Sequence, residues 1–298
     1  MKKFLETTLE IPTIAVFQGI NKIIGLKGDI EETEFVIDEG NLIVAKGNFE
    51  PWQLYVVFEY SKFELIPDSL KRVDKEYFSA TVIINYLDGL TVEKDITFSY
   101  PTGTEGWDIG IIKSPKSVLF DSFVFFHPSN GLDEEAIFNE KNIACECNIT
   151  FFFKHAKTPD LQRPLLLEVK YVGIVITEEG RDVRNRMNEH RVNDMDFLKP
   201  NNPYKQVGCL LYRTKENNYT DLDFEQLNRV LEASMIQYFK PKYNKQNRDF
   251  PRNKTPIRTL LIDKGYSNIQ IELISYDDTV LLSDNISSSN KHNINITI

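Results

Sequence analysis

Apolar and polar residues along this chain follow two different patterns, and the change falls near residue 147. Before it, short apolar or aromatic runs recur at strand spacing between turn residues: Phe35-Val36-Ile37, Leu42-Ile43-Val44, Leu54 to Phe58 and Phe78 to Tyr86. Asp38-Glu39-Gly40-Asn41 and Leu87-Asp88-Gly89 between such runs are hairpin signals, because Gly and Asn tolerate the positive φ that those turns require. These features predict an antiparallel β-sandwich or small barrel over residues 1–146. Gly103-Thr104-Glu105-Gly106-Trp107 lacks the Lys-Ser/Thr of a phosphate loop and is read as an ordinary loop.

After residue 147 the pattern predicts strand, strand, helix, strand, helix. The strands are Thr150 to Lys154, Leu165 to Val175 and Val207 to Tyr212. One helix runs from Arg181 to Leu198 and stops before Pro200; the other runs from Phe224 to Phe239, capped by Asp223 and stopped by Pro241. A further strand is expected over Ile269 to Ser275, and the polar stretch Asn285 to Asn290 is expected to fray. The fold class expected for the whole chain is therefore α+β, with a second domain at 147–298 made of a small sheet flanked by helices.

Two helical stripes carry residues that a plain core does not need. Val183, Arg186, Met187 and His190 fall at i, i+3, i+4 and i+7, so Arg186 and His190 share a face with two apolar residues. On pattern alone they either reach from the edge of the stripe to solvent or a carboxylate, or they serve a buried task. In the second helix Phe224, Leu227, Leu231, Met235 and Tyr238 form the core stripe, with Glu232 directly beside it.

Charge divides the chain as the pattern does. Residues 1–149 hold 13 Lys and Arg against 25 Asp and Glu, whereas residues 150–298 hold 22 against 19, within a total of −9. Between residues 240 and 264 stand eight basic residues, Lys240, Lys242, Lys245, Arg248, Arg252, Lys254, Arg258 and Lys264, against two acidic ones. Such density is the footprint of phosphate binding, with a solvated basic loop as the alternative. The acidic first half points away from nucleic acid and towards a protein partner or a regulatory role.

Three cysteines, Cys145, Cys147 and Cys209, make an odd count with no Cys-x2-Cys pair, which argues against a disulfide framework and a structural zinc site. No secretory signal and no apolar run of membrane-spanning length is read, so a cytoplasmic protein without membrane contact is expected.

Taken together, the order of these motifs resembles the GIY-YIG nuclease superfamily over about residues 148–245. Tyr171-Val172-Gly173 stands where that family has Tyr-Ile/Val-Gly, Arg186 and His190 follow on a helix, and Glu232 precedes Pro241-Lys242-Tyr243-Asn244 at the end of a later one. The resemblance implies an endonuclease that hydrolyses phosphodiester bonds of DNA or RNA, DNA ahead of RNA, with one Mg2+ or Mn2+. By it, Glu232 would be the metal ligand, Arg186 would clamp the phosphate, Tyr171 or His190 would align or deprotonate the attacking water, and Asn244 would fix the second helix near the metal. Lys240, Lys242, Lys245, Arg248 and Arg252 would grip the substrate backbone. On unperturbed pKa values His190 is the better base.

The family's first-strand Gly-Ile-Tyr is absent from the strand assigned to it, Ile149-Thr150-Phe151-Phe152-Phe153-Lys154-His155, which leaves His155 or His190 to handle the proton. That departure keeps a second reading open, a diverged module that binds nucleic acid or a protein without cutting. Fusion to an N-terminal β domain is similar to a group of bacterial proteins whose setting suggests phage or mobile-element defence.

Overall fold

A computed structural model describes residues 3–17, 23–24, 34–38, 42–46, 53–85, 89–101, 103–113, 118–126, 143–149, 156–157, 165–175, 186, 189–190, 193, 195–201, 204–214, 220–252, 254–274 and 279–298. The chain separates into two compact units that interleave along the sequence. Unit 1 takes Met1–Tyr60, Pro164–Asn201 and Gln206–Ile298, and unit 2 takes Ser61–Arg163 with Asn202–Lys205. Neither unit begins or ends at the predicted boundary after residue 146.

Unit 1 is organised by one mixed sheet. Its N-terminal strands are β1 (Lys3–Phe17), β2 (Ile23–Ile24) and β5 (Leu54–Ser61), with β3 (Glu34–Asp38) and β4 (Leu42–Lys46) forming a separate antiparallel pair. Unit 2 supplies β6 (Phe63–Leu65), β7 (Lys71–Arg72), β8 (Tyr77–Asn85), β9 (Thr91–Ser99), β10 (Asp108–Lys113), β11 (Phe120–Phe126) and β12 (Ile143–Asn148). The chain then returns to unit 1 with β13 (Leu165–Ile174), β14 (Lys205–Thr214), helices α1 (Phe224–Phe239) and α2 (Pro256–Asp263), and β15 (Tyr266–Ile274), β16 (Thr279–Ser283), β17 (Ile286–Ser289) and β18 (Lys291–Thr297).

The order across the large sheet is β17-β16-β13-β5-β14-β1-β15-β18. β13 lies antiparallel to β5 and parallel to β16, while β1 lies antiparallel to β14 and parallel to β15. Thus β5 and β1, which sequence patterning assigns to an N-terminal sandwich, are inner strands among C-terminal ones. The run Leu54-Tyr55-Val56-Val57-Phe58-Glu59-Tyr60 is buried along its whole length, as expected of a strand covered on both faces.

This architecture overturns the expected α+β class. The described residues are mostly strand, in several sheets, and among them only α1 and α2 are α-helices described along their length, so a small sheet flanked by helices does not describe the molecule. The physical reason is that alternation identifies a strand but not its partner, and a long sheet here gathers strands from both ends of the chain. Asn285 to Asn290, expected to fray, includes β17, which pairs with β16.

The predicted strand Thr150 to Lys154 and His155 lie outside the described residues. Of the predicted helix Arg181 to Leu198, Arg186, Glu189 and His190 are described and helical, but Asp196–Leu198 forms a separate 3₁₀ turn. α1 matches its predicted span. Asp223 caps it by accepting from the Gln226 N–H at 2.8 Å, the Gln226 side chain returns the bond, and Lys240 closes the helix in the left-handed region at φ 49°.

Unit 2 is held by aromatic packing on antiparallel strands. Phe78 meets Phe98 at 5.5 Å and Phe123 at 5.1 Å between ring centroids, and Phe98 meets Phe123 at 5.3 Å. Cys147 and Cys209 are free thiols, and burial pushes the Cys209 thiol far above its usual range.

Candidate active site

The site is built on the β5–β13 pair. Tyr55 on β5 stands opposite Gly173 on β13, and Tyr171 lies two residues earlier on the same face. A methyl group added at Gly173 would come within 2.5 Å of the Tyr55 hydroxyl and 2.8 Å of Tyr171 Cε1. The glycine of Tyr171-Val172-Gly173 is therefore a cradle, because the Tyr55 ring occupies the space a side chain would need.

The two tyrosines meet the helical segment that carries Arg186 and His190. The hydroxyl of Tyr55 lies 2.8 Å from His190 Nε2, in a fully buried contact. Ring centroids are 6.1 Å apart for Tyr55 and Tyr171, and 5.9 Å for Tyr171 and His190. Arg186, one helical turn before His190, pairs with Glu189 Oε2 at 2.9 Å, and its charge acts on Tyr55. Phe197 completes the cluster: it stacks on Tyr171 at 4.2 Å with the planes 5° apart and stands edge-on to His190.

Glu232 approaches the same group from α1. It is half-buried, its carboxylate accepts from the Ile174 backbone N–H, and its charge is felt by Tyr55 and Tyr171. Burial lifts its carboxyl to about 7, a rise that Arg229, Arg186 and the Ile174 N–H offset only in part. Burial also raises both phenols, Tyr55 furthest; Tyr171 adds to the rise at Tyr55, whereas at Tyr171 Glu232 adds and the contact with Tyr55 subtracts.

His190 moves the other way. Burial, followed by the nearby Arg186 charge, lowers it to about 4, so it is a neutral imidazole at pH 7. With the proton on Nδ1, its Nε2 accepts from Tyr55. This revises the expectation that His190 is the better base near neutral pH; its environment makes it a neutral, weakly basic ring held against the Tyr55 hydroxyl.

Asn244 acts at the end of α1, the place expected of it. Its Oδ1 accepts from the Val172 N–H at 2.9 Å and its Nδ2 donates to the Val172 carbonyl at 2.8 Å, so the side chain pairs with β13 as a neighbouring strand would. The Tyr243 N–H also donates to the Lys170 carbonyl at 3.3 Å. The turn after α1 is thereby fastened to the strand that carries Tyr171, and Lys242 and Lys245 flank that fastening. Lys240, Lys242, Lys245, Arg248 and Arg252 are all exposed, and Arg248 donates to the Lys240 carbonyl at 3.3 Å.

Tyr171, Arg186, His190 and Glu232 thus come together. Tyr55 and Phe197 were not foreseen. The uninterrupted apolar run around Tyr55 was the available signal, since such a run belongs to an inner strand rather than to a half-solvated sandwich face. Among the described residues no group of three or more His, Cys, Asp or Glu gathers as a metal cluster, and no described helix is long and apolar enough to cross a membrane. A scan against protein-family models, a search of curated proteins and a search of solved structures each returned no match.

Proposed function

We propose that unit 1 is a GIY-YIG-type nuclease module that hydrolyses phosphodiester bonds of nucleic acid, DNA ahead of RNA, with one divalent cation. The observation that supports this most is the convergence of Tyr55, Tyr171, Arg186, His190 and Glu232 at one end of the β5–β13 pair. Tyr55 would fill the place of the first-strand tyrosine that the sequence at 150–154 does not provide.

The donor set fits a hard cation. Glu232 offers a carboxylate whose burial is poorly compensated, the situation a bound Mg2+ or Mn2+ relieves, with water and phosphate oxygens as its other ligands. The chemistry the ion supplies when bound is neutralisation of charge on the phosphate and the departing oxygen. Arg186 is exposed and carries a guanidinium fork that matches two phosphate oxygens once Glu189 releases it. Tyr171, half-buried, offers its oxygen to the attacking water, while Tyr55, anchored on His190, fixes the tyrosine pair from behind. Water attacks phosphorus, the bond to the leaving oxygen breaks, and the proton lost by the water is balanced by one gained on that oxygen.

A second reading, binding without cutting, draws support from one observation. Tyr55 and His190 are closed to solvent and Arg186 is engaged by Glu189. Incubation with plasmid, single-stranded DNA and RNA, with and without Mn2+, separates the two. Mn2+-dependent cutting that Arg186→Ala removes is the expected result, and retention of nucleic acid with no cutting under any of these conditions would favour the second reading. Acidic unit 2 and N-terminal surfaces are the candidates for a protein partner.

A further inference from the structure

A second polar group sits in unit 1, on the β5–β13 pair. Glu59 on β5 and Lys170 on β13 are both buried, and Lys170 Nζ lies 3.3 Å from Glu59 Oε1. Each also bonds to the segment that follows the 3₁₀ turn. Lys170 Nζ donates to the Lys199 carbonyl at 2.7 Å, the Asn201 N–H donates to Glu59 Oε1 at 2.6 Å, and Asn201 Nδ2 donates to Glu59 Oε2 at 2.6 Å.

A buried ion pair of this kind contributes little net stability over a well-packed apolar pair, because desolvation cancels most of the attraction. What it does impose is direction, since four contacts must be met at once. Two consequences of that direction reach the site. The register of β13 against β5 slips between Val169 and Tyr171, so Lys170 is the extra residue of a β-bulge that sets which face Tyr171 presents. The tethered segment directly follows the 3₁₀ turn that carries Phe197, whose ring lies flat on Tyr171 and edge-on to His190.

We propose that Glu59, Lys170 and Asn201 are positioning residues: they hold the bulge and the Phe197 turn so that Tyr171 is clamped in one orientation within the site. The role in catalysis rests on the nuclease reading above, but the clamping itself does not. Glu59→Leu with Lys170→Met removes the directional bonds while leaving a packed apolar pair in their place, so the fold is expected to persist. Asn201→Ala, at an exposed position, removes only the side-chain donor and serves as the milder variant.

The test places 3-fluorotyrosine at position 171 of the full chain and follows its 19F resonance and phenol titration. In the otherwise unaltered protein the resonance is expected to be displaced by the stacked ring and the phenol to titrate above free 3-fluorotyrosine. In the double variant both should move towards the free amino acid, with a part of that shift in Asn201→Ala. If the double variant is folded by circular dichroism and both signals stay put, or if it is unfolded and Asn201→Ala leaves both signals in place, the clamp is overturned. In a cleavage assay the double variant should lose about tenfold or more in kcat with KM within about twofold. A protein that cuts nothing removes the nuclease reading and leaves the fluorine result to decide the clamp.

Discussion

Glu59 and Glu232 are both drawn out of water in unit 1, and their surroundings differ in a way that separates holding from reacting. Glu59 meets an ammonium at 3.3 Å and two N–H donors at 2.6 Å, so its charge is compensated by groups fixed on neighbouring segments. Glu232 receives one backbone N–H, and its arginines do not prevent burial from lifting its carboxyl to about 7. A compensated carboxylate keeps strands in register. One left short of positive charge is poised to take up a proton or a cation, as functional carboxylates are.

The comparison presupposes one sheet, and breaking the sheet has the largest expected effect. A chain beginning at residue 147 lacks β1 and β5, which removes both sheet neighbours of β14 and the antiparallel partner of β13. It should show no cooperative thermal transition by circular dichroism; a cooperatively melting fragment would mean that the C-terminal half is a domain by itself.

Breaking the compensated partner comes next. Glu59→Ala leaves the Lys170 ammonium buried without its carboxylate and should lower stability by about 3–5 kcal/mol in denaturant titration. A loss below about 1 kcal/mol would place the pair in contact with water. The opposite sign is expected at the other site. Because the folded carboxyl of Glu232 titrates near 7 against an ordinary 4.5, its contribution to stability is fully present below pH 4.5 and is lost as pH rises through 7. Glu232→Gln should therefore be more stable than the parent at pH 8 by on the order of 3 kcal/mol in the absence of divalent cations, with the advantage fading towards pH 4.5. Equal melting at both pH values would show that the carboxylate is well solvated.

The smallest expected effect on the fold lies in the exposed basic strip. Lys242, Lys245 and Arg248 replaced together by Ala should change stability by less than about 0.5 kcal/mol per site. The dependence of log affinity for DNA on log salt should flatten by roughly one unit per lost phosphate contact. An unaltered slope in filter binding would remove the strip from the interface.

Local chemistry made some of this arrangement legible in the sequence. Asp223, the stripe from Phe224 and Pro241 marked α1 from end to end, and Leu165 to Val175 marked β13 to within a residue. Those signals act over a few residues, where caps and periodicity are decided. Tyr55 was not legible as the partner of Tyr171, because pairing across the long intervening segment of unit 2 leaves no local trace. The same limit hid the Glu59–Lys170 pair, whose members look like ordinary surface charges until β5 and β13 are set side by side. His190 shows the limit in electrostatics: the residue type suggests a base near neutral pH, and only burial and the neighbouring Arg186 charge show that its pKa is lowered to about 4, which leaves it neutral at pH 7.

The central claim is that Glu232 is the one carboxylate of the site that acts on the substrate through a cation, and cleavage by Glu232→Gln tests it most directly. The substitution keeps shape and helix propensity and removes the charge. In a Mn2+ time course with folding matched by circular dichroism, the account predicts that cutting disappears while affinity for the same nucleic acid stays within about twofold, since the proposed grip lies in the basic strip and Arg186. Cutting by Glu232→Gln at the parent rate would contradict it.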